Sequence, residues 1–168
     1  MLRQICELGD FLRRMRTQLR FGDLSRGSLR LLRLEVQGDS AECDWMARPA
    51  DPWDTAIPAD LRDRRVAEQS LRDAIQVRNL LFSIFPDVVR VAVRVYRRTD
   101  DPWRELIIVG TVRREKQVET AVKSLVMRAK LLGLHFQLEE GKLEALDGEQ
   151  PVWVHRPKAA GLFARGDA

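Results

Sequence analysis

The chain has 168 residues, a length that fits one domain, and 45% of them are hydrophobic, which argues against intrinsic disorder. Its longest apolar runs, NLLFSIF and LIIV, are far shorter than the roughly 20 residues that a bilayer-spanning helix needs, and charged residues interrupt the N-terminal segment. We therefore expect a soluble, cytoplasmic protein. Residues 1–150 are predicted to form a single α+β domain, and residues 151–168 an extended, partly flexible C-terminal tail.

Basic residues slightly outnumber acidic ones, 29 to 25, which gives a net charge of +4. Of those 29 cationic residues, 24 are arginine and five are lysine. Guanidinium groups pair well with phosphates and carboxylates, but the acidic residues are interspersed among them. This composition fits a solvated charged surface, and it also leaves room for a functional basic patch.

Helical and strand periodicities alternate along the chain. Apolar residues spaced by three and four predict a helix over 2–20, and LRLLRLEVQ and AECDWMAR alternate as a β-hairpin does. After a proline-rich loop, a long helix is predicted over 61–85 and ends before Pro86. The segments VVRVAVRVYRR and ELIIVGTVRR then predict an antiparallel strand pair. A helix over 116–132 and a last hairpin complete the series.

This order of elements predicts an α+β fold, an antiparallel sheet with helices packed on it. Residues 41–138 read as β-α-β-β-α-β, the ferredoxin-like order, and the N-terminal helix and two further strands flank that core. The sequence alone does not give the order of strands within the sheet.

The tripeptide Asp-Pro-Trp occurs twice, around Trp53 and Trp103. Asp and Pro are common turn residues, so the repeat can reflect two independent turns in which Trp covers nearby apolar surface. An old duplication and a paired aromatic recognition surface are the two alternatives. We keep Trp53 and Trp103 as candidate binding residues.

The strand VVRVAVRVYRR offers the best candidate binding surface. Because side chains alternate along a strand, Val89, Val91, Val93 and Val95 are expected on one face. The opposite face then carries Arg90, Arg94, Tyr96 and Arg98. Such a cationic face with one aromatic ring can grip a phosphate backbone and stack a base, so RNA or single-stranded nucleic acid is one candidate ligand. The other interpretation is that cross-strand carboxylates neutralise these arginines.

No catalytic, metal-binding or cofactor-binding constellation is visible in the sequence. His135 and His155 lie in no metal-ligand spacing, and a nucleophile motif and a glycine-rich phosphate loop are absent. The predicted function is therefore a non-catalytic macromolecular binding module. Its most favoured partner is another protein, or a second copy of the chain, which docks on the sheet face or on the N-terminal amphipathic helix. A membrane partner is not expected.

The segment VRVAVRVYRR, followed by LIIVGTVRREKQVETAVKSLVMRA, resembles the strand, Gly-Thr-Val strand end and helix of BON domains. The resemblance covers less than a third of the chain and rests mainly on Gly110, Thr111 and Val112. It would imply a phospholipid or periplasmic protein partner, which we do not adopt as the prediction.

Overall fold

A computed structural model describes residues 2–100, 104–118 and 121–146. Within these ranges the helices are α1 (Leu2–Gln18), α2 (Ala59–Ile84) and α3 (Leu125–Leu131), with a short 3-10 helix at Pro52–Ala56. The strands are β1 (Arg30–Gln37), β2 (Ser40–Met46), β3 (Arg90–Arg98), β4 (Arg104–Arg113), β5 (Leu134–His135), β6 (Leu138–Glu139) and β7 (Lys142–Leu143). The tail predicted over 151–168 lies outside the described residues.

Five strands form one sheet in the order β1-β2-β3-β4-β5, and β6 and β7 form a separate hairpin. All neighbours in the large sheet are antiparallel except β2 and β3, which are parallel. The long helix α2 connects β2 to β3 and brings the chain back to the end of the sheet at which β2 begins. The two strands therefore run in the same direction. The α+β class is confirmed, with a sheet that is mostly antiparallel.

The elements β2, α2, β3, β4, α3 and β5 follow one another in the predicted order. The ferredoxin-like core itself stays a prediction. One helix boundary was predicted wrongly, since α3 begins at Leu125 instead of Lys116. Ser124 explains the boundary, because its hydroxyl accepts a hydrogen bond from the Met127 amide and so caps the helix.

One hydrophobic core lies between the helices and one face of the sheet. Val91, Val93 and Val95 of β3 are fully buried there, beside Cys43 and Trp45 of β2. Fully burying a side chain the size of valine contributes about 1.5–3 kcal/mol, so the alternating valines fix which face of β3 turns inward. Val89 was expected to share that face, but it precedes the strand and is 42% exposed.

Gly110 lies where β4 and β5 approach most closely. A Cβ atom at this position would lie 2.2 Å from the carbonyl oxygen of Gly133, so no other residue fits without moving the backbone. This packing requirement accounts for the glycine of the Gly-Thr-Val segment. Among the helices of the described ranges, none is long and apolar enough to cross a membrane.

Candidate binding surfaces

The predicted cationic residues occupy the outer face of the sheet, opposite the core. Arg90, Arg94, Tyr96 and Arg98 fall at alternate positions of β3, and none of them is fully buried. A strand rises about 3.3 Å per residue, so this row extends over roughly 26 Å from its first to its last member. The four side chains therefore share a face but do not converge on one point.

Arg94 is engaged by acidic residues of the neighbouring strand. Its guanidinium donates to Asp44 at 3.0 Å and to Glu42 at 3.4 Å, because the parallel register of β2 and β3 puts Asp44 directly beside it. Glu42 also pairs with Arg33 of β1 at 2.8 Å. Burial raises the pKa of Asp44 above its ordinary value, and Arg94 opposes that shift. Cross-strand ion pairing was one of the two interpretations of this face, and these contacts are cross-strand ion pairs.

The charge on the outer face is consequently mixed. Two cations, Arg33 and Arg94, lie among three carboxylates, Glu35, Glu42 and Asp44. A phosphate backbone approaching the centre of this face would meet carboxylates beside each guanidinium. The two end residues differ, since Arg90 is 3.5 Å from Asp39 and largely exposed, and Arg98 lies opposite Arg104.

The two tryptophan motifs cannot be compared directly, because Trp103 lies outside the described residues. Trp53 lies in the 3-10 helix, where its amide donates to the Asp51 carboxylate at 3.2 Å. The turn role expected of aspartate is therefore present at this motif. The Trp53 ring is 81% exposed, so it does not cover nearby apolar surface as the turn interpretation expected.

A second candidate surface is the N-terminal half of α1. The apolar stripe of this helix is buried at Met15 and, just beyond its end, at Leu19, and the ring of Phe11 packs 6.1 Å from that of Phe85. Towards the N-terminus of α1, the residues of the same stripe are exposed instead of buried. Ile5 is 62% exposed and Leu8 is 38% exposed. An apolar stripe that begins in the core thus continues as an exposed surface.

A buried ionic network surrounds Arg48, and no sequence pattern predicted it. The Arg48 and Asp73 side chains are each 1% exposed and pair at 2.9 Å. The guanidinium also donates to the carbonyls of Leu19 and Gly27, at 2.6 and 2.7 Å, and so holds the segment after α1 against α2. Gln69 donates to the same carboxylate at 3.0 Å. Burial raises the pKa of Asp73, and Arg48 opposes the shift.

Arg114 also has a structural role that the periodicity of the sequence did not indicate. It follows β4 and donates to the carbonyls of Phe82 and Phe85 at the end of α2, and to that of Val88 in the segment after the helix, at 2.6–2.8 Å. The carbonyls at a helix C-terminus lack intrahelical partners and carry partial negative charge, so a guanidinium stabilises them. Arg114 also lies 4.9 Å from the Phe82 ring centroid. This arginine caps a helix and is not available as a ligand-binding group.

The remaining titratable candidates are isolated. Cys43 is fully buried, and burial raises the pKa of its thiol, which keeps it protonated and unreactive. His135 is exposed at the short strand β5. Within the described ranges, no group of three or more His, Cys, Asp and Glu side chains could hold a metal ion.

Comparison with protein-family models gave no match, and comparisons with curated proteins and with solved structures gave no significant match. The class of the protein is therefore defined by its own fold, a mostly antiparallel five-stranded sheet with helices on one face. Its two candidate surfaces are the mixed-charge outer face of that sheet and the exposed half of α1.

Proposed function

We propose that this protein is a non-catalytic binding module that docks another polypeptide through the N-terminal half of α1. The observation that carries the proposal is the exposure of Ile5 and Leu8, on the same stripe that Met15 continues into the core. An amphipathic helix with an unburied apolar stripe is a common docking element for a complementary groove or helix. Residue Trp53, also exposed, is a further candidate contact.

The flank of α1 indicates the character of the partner. Arg14 and Arg16 are exposed and Arg13 pairs with Asp10, so the C-terminal half of α1 presents cations next to the exposed apolar segment. A partner with an apolar face and acidic residues along its edge complements this pattern. Because the centre of the contact is apolar and its charges lie at the edge, salt should weaken this binding much less than it weakens binding to a phosphate backbone.

Nucleic-acid binding through Arg90, Arg94, Tyr96 and Arg98 is the alternative function. The carboxylates beside Arg94 count against it, since they occupy the guanidinium and repel phosphate. Labelled single-stranded RNA and DNA, titrated at about 50 mM and 200 mM salt, distinguish the two functions. Binding at low salt that falls steeply with salt and is lost in Arg94→Glu would establish nucleic-acid binding instead.

The protein-binding function is tested with a probe attached to α1 itself. Cys6 is exposed on this helix and Cys43 is buried, so a maleimide-linked photo-crosslinker attaches selectively beside Ile5. We expect a crosslinked partner that is identified by mass spectrometry and that then binds as a purified protein.

The variant Ile5→Asp should weaken that binding by at least about tenfold, since it places a charge in an apolar contact. Met127→Asp is the matched control, because Met127 is similarly exposed, at 51%, but lies on α3. Equal losses in the two variants, or none in Ile5→Asp, would contradict docking through α1.

A further inference from the structure

Strand β1 is an unpaired edge of the five-stranded sheet. It has eight residues, contains no proline, and pairs with β2 on one side only. An edge of this length presents a row of backbone N–H and C=O groups that can pair with another strand. Within the described ranges no second strand pairs with the outer side of β1, and its one irregularity, a register shift between Leu31 and Arg33, leaves residues 33–37 in regular pairing with β2.

The hairpin geometry identifies which backbone groups face outward. Gly38 and Asp39 form a two-residue turn between the paired residues Gln37 and Ser40, and Gly38 has the positive φ of 58° that such turns require. In a two-residue hairpin the pair next to the turn is hydrogen-bonded, and the pattern alternates from there. Leu34 and Val36 therefore direct their N–H and C=O groups away from β2.

The charges of β1 fit a second copy of the same strand. Arg33 and Glu35 flank Leu34 on the outer face of the sheet. In an antiparallel pair of identical strands centred on Leu34, Arg33 of each copy lies opposite Glu35 of the other. Centring the pair on Arg33 or on Glu35 would instead place like charges opposite each other, which is destabilising.

The centred register also suits the backbone and the apolar residues. Leu34 would exchange both hydrogen bonds with Leu34 of the second copy, and the Arg33–Glu35 pairs would occupy the closer, non-hydrogen-bonded sites. Leu34 and Val36 are partly buried and pack against the core, so the partner strand would extend the same apolar layer. In the monomer Arg33 pairs with Glu35 of its own strand and with Glu42 at 2.8 Å. Its five N–H donors allow it to keep the Glu42 contact while it pairs with Glu35 of the second copy.

From these features we infer that two copies of the chain associate through antiparallel β1 strands centred on Leu34, giving one continuous ten-stranded sheet. The inference concerns a different surface from α1 and does not rest on the docking function proposed above. Its occupant is a second copy, because an identical antiparallel strand supplies the matching order of arginine and glutamate.

Sedimentation velocity of the full chain over a range of concentrations provides the test. The wild type should show a concentration-dependent dimer. Glu35→Arg and Arg33→Glu should each raise the dissociation constant by at least about tenfold, since each places like charges opposite each other. An equimolar mixture of these two variants restores both opposite-charge pairs, so it should form a mixed dimer.

Val36→Pro gives an independent variant, because it removes an outward N–H that the monomer does not use, and an edge strand tolerates proline there. It should abolish the dimer while the circular dichroism spectrum stays unchanged. Glu139→Arg on β6 and Ile5→Asp on α1 are controls that should leave the dimer intact.

A wild type that stays monomeric, a dimer that survives Glu35→Arg, or a mixture that does not associate would each overturn the inference. If Ile5→Asp dissociates the dimer and the β1 variants do not, the dimer interface lies on α1, and the β1 pairing is again overturned.

Discussion

Arginine serves different purposes in two regions of this molecule. Inside the fold, Arg48 is 3% exposed and holds Asp73 together with several backbone carbonyls. On the outer face of the sheet, Arg94 pairs with Asp44 and Glu42, and Arg33 pairs with Glu42. These side chains remain partly exposed to solvent. Both regions contain arginine–carboxylate pairs of similar length. From this difference we expect burial, rather than the presence of an ion pair, to decide how much stability is lost when one partner is removed.

The largest difference is expected at Arg48. In Arg48→Met the Asp73 carboxylate stays buried, with Gln69 as its remaining hydrogen-bond donor among the described residues. We expect the free energy of unfolding to fall by about 3–5 kcal/mol, measured by urea denaturation. The double variant Arg48→Met/Asp73→Leu removes both charges and should be more stable than the single variant. A loss below about 1 kcal/mol in Arg48→Met would contradict this structural role.

An intermediate effect is expected at Arg114, which is partly buried. Arg114→Met removes the charge-assisted hydrogen bonds to Phe82, Phe85 and Val88 and should cost about 2–3 kcal/mol in the same assay. The adjacent Arg113 is the matched control, because it is exposed and lies 3.6 Å from Glu115. Arg113→Met should change stability by less than about 0.5 kcal/mol, and equal losses would show that Arg114 is no cap.

The smallest effect, and one that depends on pH, is expected at Arg94. Removing Arg94 leaves only the weaker effect of Arg33 to oppose the effect of burial on Asp44, so the pKa of Asp44 should rise further. Arg94→Met should cost about 1–2 kcal/mol at neutral pH, because it removes the charge-assisted hydrogen bonds to Asp44 and Glu42.

Proton linkage determines whether the cost of Arg94→Met rises or falls with pH. A carboxyl whose pKa is raised by folding binds its proton more tightly in the folded state, so its unfavourable effect appears as pH rises through that pKa. The cost of Arg94→Met should therefore shrink near pH 3, below the ordinary aspartate pKa of about 3.9. Carboxyl NMR titration measures the pKa directly, and Arg90→Met, at an exposed pair, should cost less than about 0.5 kcal/mol. A cost that is independent of pH would exclude Asp44 as the group that Arg94 neutralises.

Much of the secondary structure could be predicted from local pattern. Helix α1, the long helix α2 and strands β1 to β4 lie close to their predicted positions, because apolar spacing reports which face of an element is buried. The start of α3 was misplaced, since Val118 and Val122 continue the helical spacing of Leu125 and Ala129, but a serine cap sets the start at Leu125. At the candidate sites, alternation placed Arg94 and Tyr96 on one face of β3, but it did not reveal which carboxylates lie beside them.

The sequence by itself determined which residues of each strand and helix turn inward, because hydrophobic periodicity acts within a single element. Tertiary structure decided what each arginine does. Arg48, Arg94 and Arg114 look alike in the sequence, yet one is enclosed with Asp73, one is neutralised by a parallel neighbouring strand, and one caps α2. Their environments depend on strand order and helix crossing, which bring together residues that are distant along the chain and leave no local periodicity to detect.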